Sequence, residues 1–338
     1  MLKKIALITL LLATACYGFV YFSFSYGVHD EYPDSKQYHK IVESPLDLSA
    51  ADSPYIYRQF TPYLTNKLIK ITSNNSASSN AETICSHLFT VNLLGVFAAM
   101  ILLSLFLLNH LKINDIQSLL LAPLLLFLSY KVMHQAIGNL CEGWAYFFIG
   151  LIYYLYARKK LGLMVAAIIF SVIVKETIVL FFVLFFIGLL VAKYVKKEPI
   201  ERPLIIGLSS AFASLLLYVI LRKFAFAVAG YENQLNLLDY PTQLLSFLSA
   251  MDWVSFAKII LHQNVLLILV ALLLYKKGLS ALNFSSQLSA WFLSILALVI
   301  ICMCTGMMYN DISRIISTAT PVCIMIFWSE IFTHQQSK

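Results

Sequence analysis

Six of the 17 acidic residues in this chain, Asp30, Glu31, Asp34, Glu43, Asp47 and Asp52, fall in one short stretch that follows an apolar N-terminal run. Carboxylates at that density suit cation binding, or the orientation and deprotonation of a hydroxyl. Pro33 before Asp34, with Tyr38, Ile41 and Val42 behind it, predicts a short amphipathic helix whose first turn holds Asp34. The helix dipole favours the ionised form there, which helps Asp34 orient a hydroxyl and weakens it as a base; the competing reading is a plain helix cap with Asp30 and Glu31 solvated. The complementary charges are Arg58, Lys131, Lys175, Arg222, Lys223 and Arg314. Arg58 has no partner close in sequence, and a guanidinium fork matches phosphate oxygens. Glu176 beside Lys175 and Asp311 near Arg314 offer the competing account of two local ion pairs. His29 and His39 flank the acids, and His134 follows Lys131 by three residues, without metal-ligand spacing. No metal site is therefore assigned, although a divalent cation on the acids stays open.

The elements that must carry these residues follow from composition. Hydrophobic residues make up 60% of the 338 and charged residues 12%, which excludes a soluble core and a disordered chain alike. Apolar runs at 5–26, 86–108, 117–136, 143–157, 161–174, 177–192, 203–221, 259–275, 287–308 and 315–329 predict an all-α, polytopic membrane bundle with about ten spans. Several runs are shorter than the roughly 20 residues that cross a full hydrocarbon core, so their ends must sink into protein or stop at a cavity. The pair 161–174 and 177–192 reads as a hairpin with Lys175-Glu176 at its turn.

With Lys3 and Lys4 cytoplasmic, alternation places Lys112, Arg158-Lys159-Lys160, the 193–202 segment and Lys276-Lys277 on one side, as the positive-inside rule requires. Both termini are then cytoplasmic, in a multi-pass protein of the cell (inner) membrane. The +7 net charge is an orientation signal rather than a nucleic-acid footprint. The whole chain, 1–338, forms one transmembrane domain, with outer loops at 27–86 and 222–258. Met1–Cys16 resembles a secretory signal, but the apolar run continues through Tyr26 and predicts an uncleaved first span. Within the first loop, Ser53-Pro54 and Thr61-Pro62 mark two further helix starts, the second placing Leu64, Leu68 and Ile71 on one face, as in a helix lying on the membrane interface. Cys85 and Cys141 fall on the same side and leave a disulfide open. The Phe181-Phe182 and Phe185-Phe186 pairs read as packing.

The acid-bearing first loop, His29-Asp30-Glu31-Tyr32-Pro33-Asp34 with Tyr38 following, resembles that of the GT-C superfamily of integral-membrane glycosyltransferases, which includes protein mannosyltransferases and lipid A aminoarabinose transferases. The Pro54-Tyr55-Ile56-Tyr57-Arg58-Gln59-Phe60-Thr61-Pro62 stretch, the hairpin tip Lys175-Glu176, and Asn310-Asp311-Ile312-Ser313-Arg314 with Pro321 beyond it are similar as well. The resemblance implies a GT-C-like fold that moves a sugar from a polyprenyl-phosphate carrier to a glycan, lipid or protein acceptor on the outer, periplasmic face. It implies Asp34 as the acid that orients or deprotonates the acceptor, and Arg58, Lys175 and Arg314 as phosphate ligands. Asp30, Glu31, Tyr38, Glu176 and Asp311 would support them, membrane lipids would surround the bundle, and nucleic acid has no part. Other readings stand beside it, a purely structural membrane subunit among them. A polysaccharide polymerase or ligase would use similar carriers, and a secondary transporter would call for inverted repeats that this sequence lacks.

Overall fold

The computed structural model describes residues 33–47, 50–51, 58–72, 81–113, 115–129, 132, 141–221, 242, 245–246, 249, 254, 263–277, 284–304 and 309–332. Among these residues there are helices and no strand. They are α1 (Pro33–Glu43), α2 (Phe60–Thr72), α3 (Ala81–Asn109), α4 (Ile116–Phe127), α5 (Gly143–Ala157), α6 (Leu161–Val174), α7 (Glu176–Val195), α8 (Arg202–Ile220), α9 (Asn264–Lys277), α10 (Ser286–Cys304), α11 (Tyr309–Thr318) and α12 (Thr320–Phe332). Four of them, α3, α7, α8 and α10, are long and apolar enough to cross a membrane, and the bent pair α11–α12 makes a fifth. The short apolar helices include α5, α6 and segments of α4 and α9. The first predicted span, 5–26, lies outside the described residues, as do Asp30, Glu31, Lys131, His134, Arg222 and Lys223.

Helix α12 is the axis of the packing. Every residue from Thr320 to Trp328 is buried, and the helix touches α3, α4, α5, α9 and α10. It starts at a break because Pro321 has no N–H to give to a preceding carbonyl and its ring crowds the turn before it. Ala319 N–H closes a tighter turn on Ile316 O at 3.0 Å, and α11 meets α12 at 52°. Around this axis α3 packs on α5, α7 on α10 and α8, and α6 on α5 and α8. The paired phenylalanines of α7, Phe181, Phe182, Phe185 and Phe186, are all buried in the core, as packing residues.

Two close approaches set the depth of the bundle. At the α3–α5 crossing, a methyl group on Gly95 would lie 2.5 Å from the backbone of Gly143 and Trp144, and one on Gly143 would lie 2.7 Å from Asn92 Cα. Asn92 locks the crossing by accepting the Gly143 N–H at 3.1 Å through Oδ1. Glycine lets the two backbones touch, as small residues do wherever membrane helices pack tightly. On the other side, Gly207 of α8 makes room for the ring of Phe186.

The two ends of the bundle differ in chemistry. At one end the α5–α6 and α7–α8 turns lie together: Lys159 Nζ is 3.1 Å from Glu201 and Lys193 Nζ 3.5 Å from it. Arg158 donates to Asn109 O at the end of α3 at 2.6 Å. Lys159 and Lys197 adopt left-handed backbone conformations, φ 55° and 56°, that stop α5 and α7. The bond from Lys159 holds the exposed Glu201 carboxyl below the usual carboxylate range. The grouping expected from alternation, 158–160 with 193–202, is thus present in space.

The first loop packs on the bundle through two helices of different character. Helix α1 forms as the spacing predicts and buries Tyr38, Ile41 and Val42, packing on α2 and α3. In α2, however, the buried face is Thr61, Pro62, Thr65 and Asn66, while Ile71 is 77% exposed. Short hydroxyl side chains admit closer helix contact than leucine does and bond back to their own helix, as Thr65 does to Thr61 O at 2.9 Å. Asn66 then ties α2 to α1 through Val42 O at 2.8 Å. The helix start expected at Ser53-Pro54 lies outside the described residues.

Substitution at the α3–α5 crossing tests this geometry. Gly95→Ala and Gly143→Ala are each expected to lower stability by about 1–3 kcal/mol, the usual cost of overpacking, read as a fall in the thermal transition in detergent. Gly162→Ala, where a methyl group meets nothing within 4 Å, is the matched control and is expected to leave the transition unchanged.

Candidate functional site

The end of the bundle away from the α5–α6 turn holds charges in its interior. Lys175 is the single residue linking α6 to α7, with extended backbone at φ −167° and ψ 126°. Its N–H closes the last turn of α6 on Ser171 O at 2.9 Å, and its carbonyl accepts the Ile178 N–H in the first turn of α7. That geometry turns the side chain of Lys175 inward, where it donates to Glu142 Oε1 at 2.8 Å with both side chains no more than 2% exposed. Arg314, in the second turn of α11, brings Nε to 3.7 Å from the same oxygen. Glu142 stands immediately before α5, beside the Gly143 crossing, so the backbone contact of α3 and α5 sets its depth.

A second pair lies beside the first. Arg58, just before α2, bonds Glu176 through two nitrogens, Nη2 to Oε1 and Nε to Oε2, the latter at 3.1 Å. This bidentate fit is the strong form of the contact. The remaining arm of the guanidinium, Nη1, donates to the Tyr38 hydroxyl at 2.7 Å. Burial opposes the Arg58 charge, but Glu176 and Tyr38 outweigh it and hold the guanidinium more firmly protonated than a free arginine. Burial pushes the Tyr38 phenol well above the usual tyrosine range, so it remains a neutral hydroxyl at any working pH.

The structure therefore brings together five of the residues singled out in the sequence: Arg58, Lys175 and Arg314, with Tyr38 and Glu176. For Lys175 and Glu176 the partners differ from the local pair considered there. Arg58 is buried and takes Glu176 from 118 positions away, and Lys175 turns to Glu142 rather than to its neighbour. Asp34 stands in the first turn of α1, four residues before Tyr38. Its side chain, like that of Asp311, lies outside the described residues.

Glu142 is the residue that sequence reading missed. Its signal was available: it is the one acid between Asp115 and Glu176, directly ahead of an apolar run and, by alternation, on the side of Lys175. Among the described residues, three cations meet two carboxylates in this cluster. Charge in such an interior is costly unless paired, and cations gathered at one place suit an anion.

Flanking the cluster is an aromatic wall. Phe60, two residues after Arg58, meets Trp144, Phe148 and Phe170 edge-on at 5.5, 5.8 and 5.3 Å, joining α2, α5 and α6. Phe148 and Phe170 stack at 5.3 Å, and Phe170 is partly open to the surroundings. Elsewhere, Cys85 and Cys141 are buried, and no disulfide joins them. The Cys85 sulfur lies 3.4 Å from His39 Nε2. Among the described residues, no group of three or more His, Cys, Asp or Glu is placed to hold a metal ion.

The bidentate pair yields a stability test. Arg58→Met or Glu176→Gln alone strands a buried charge and is expected to cost about 3–5 kcal/mol. The double variant Arg58→Met/Glu176→Met removes both charges and is expected to recover most of that loss, measured by thermal unfolding of the four proteins in one detergent. Comparison with family models, with curated proteins and with solved structures finds no match to this chain, so a functional reading rests on the ion cluster and its surroundings.

Proposed function

We propose that this protein is an integral-membrane glycosyltransferase of GT-C type, moving a sugar from a polyprenyl-phosphate carrier to an acceptor hydroxyl. The observation that carries the reading is the convergence of Arg58, Lys175 and Arg314, from three distant parts of the chain, into one buried cluster. A departing lipid phosphate is the anion such a cluster suits, because fixed cations in a dry site stabilise the charge that develops as the glycosidic bond breaks. The aromatic wall of Phe60, Trp144, Phe148 and Phe170 supports the same reading, since it offers an apolar path for a prenyl chain beginning within two residues of Arg58 and Glu142.

In this mechanism the carrier phosphate is gripped by the cations, with Arg314, the most exposed of the three at 19%, nearest to the open side. Asp34, one turn before Tyr38, orients the acceptor hydroxyl and takes its proton as the oxygen attacks the anomeric carbon. The sugar–phosphate bond breaks on the opposite face, and its electron pair leaves with the lipid phosphate. Asp30, Glu31 and Asp311 complete the acidic surround, with a divalent cation on the first-loop acids as an option. Basic residues in the turns at 158–160 and 193–202 support a cytoplasmic side there by the positive-inside rule, and the reading takes the cluster to lie on the outer face. Short helices such as α5 and α6 then cross together with their long neighbours, for about ten spans in all.

The experiment is transfer from labelled prenyl-phosphate sugars by purified protein in lipid nanodiscs. Asp34→Asn is expected to lower kcat by about 10²–10⁴-fold while donor affinity holds. Arg314→Ala is expected to weaken binding of undecaprenyl phosphate itself. Full activity in both variants would remove the assigned roles, and failure of the unaltered protein to bind the carrier would remove the reading.

A further inference from the structure

Glu142 has one oxygen fully engaged and one idle. Oε1 receives Lys175 and faces Arg314, whereas Oε2 is buried and has no hydrogen-bond partner among the described residues. Two neighbours are in the same condition: the Thr177 hydroxyl, next to Glu176, and the Trp144 indole N–H, two residues after Glu142. A buried polar atom without a partner is costly, and a carboxylate oxygen more than most. Three of them within two residues of the ion cluster point to a ligand that carries hydrogen-bonding groups of its own. A bare phosphate would satisfy the cations and leave Oε2 idle, because an ionised carboxylate only accepts and a phosphate dianion has no proton to give. A hydroxyl supplies what is lacking.

We infer that Glu142 Oε2 accepts a hydrogen bond from a hydroxyl of the sugar on the carrier, with the Thr177 hydroxyl, next to Glu176 in the chain, as a second polar contact. Glu142 is then a substrate-binding residue with two jobs. Oε1 positions Lys175 and Arg314 for the phosphate, and Oε2 distinguishes a glycosylated carrier from a bare one. The inference rests on the proposed transferase reading and adds the recognition of the sugar to it. No proton moves in this contact, and Glu142 remains ionised between its two cations.

The test compares two ligands on three proteins in nanodiscs: a short-chain prenyl phosphate, and the same prenyl phosphate bearing each of a panel of hexoses and aminopentoses. The unaltered chain is expected to bind at least one glycosylated probe about tenfold more tightly than the bare phosphate, the scale of one hydrogen bond to a charged group. In Glu142→Gln that preference is expected to fall to about twofold or less, the ratio between the two probes being read separately from any common loss through Lys175 and Arg314. Because Glu142→Gln leaves Lys175 buried beside an amide, the same ratio is read in Glu142→Gln/Lys175→Met, which removes the pair together. Lost preference in whichever of the two variants folds supports the assignment. A preference that survives overturns it, as does an equal loss for both probes, which would leave Glu142 a clamp for cations alone. Equal binding of both probes to the unaltered chain overturns the assignment too. Binding of neither probe instead overturns the transferase reading on which it stands.

Discussion

A charge inside an apolar bundle has to find its opposite, and in this protein that requirement reaches across most of the chain. Glu142 before α5, the Lys175-Glu176 turn between α6 and α7, Arg58 ahead of α2, and Arg314 in α11 are separated by tens to hundreds of positions, and each is tolerable where it is only because the others are present. Hydrophobic packing alone holds these helices together without preference for one arrangement over another of similar volume. Ion pairs in a low dielectric are directional and exclusive, so they select which helix ends meet.

The neutral part of the structure is arranged to make those pairs reachable. The Asn92–Gly143 bond and the glycine crossing fix how deep Glu142 sits. The break at Ala319 swings α11 away from the α12 axis, which carries Arg314 to the side of Glu142. Tyr38 reaches Arg58 because α1 lies against α2 and α3 through its apolar face. The opposite end obeys looser rules: Lys159, Lys193 and Glu201 meet near the surface, where water screens them and each contact is worth little.

Much of this was legible in the sequence, for physical reasons. Apolar runs bounded by lysines are read directly from the low cost of charge at a membrane surface and its high cost within, so the helices α3, α5, α6, α7 and α8 lie close to their expected bounds. Pro33 and the Tyr38, Ile41 and Val42 spacing gave away α1. Arg58, Lys175 and Arg314 stood out because charge on that side of the bundle needs a reason. What could not be read was pairing. Lys175 sits next to Glu176 in the chain, yet opposite backbone directions at the hairpin turn send one to Glu142 and the other to Arg58. The polar buried face of α2 was likewise hidden, since a leucine stripe suited to the membrane interface does not say which residues meet the bundle.

The linker between α6 and α7 is one residue long. Lys175 is extended and is the whole joint, so a deleted position there would have to be made up from the first turn of α7, and each residue taken from that turn shifts the phase of the helix by about 100°. The Glu176 carboxylate and the Phe181, Phe182, Phe185 and Phe186 rings ride on the same helix, and both would be turned away at once from Arg58 and from the core. Loops elsewhere in a membrane protein drift freely in length. This joint behaves as a gear tooth, whose count of residues is as constrained as the identity of the charges it carries.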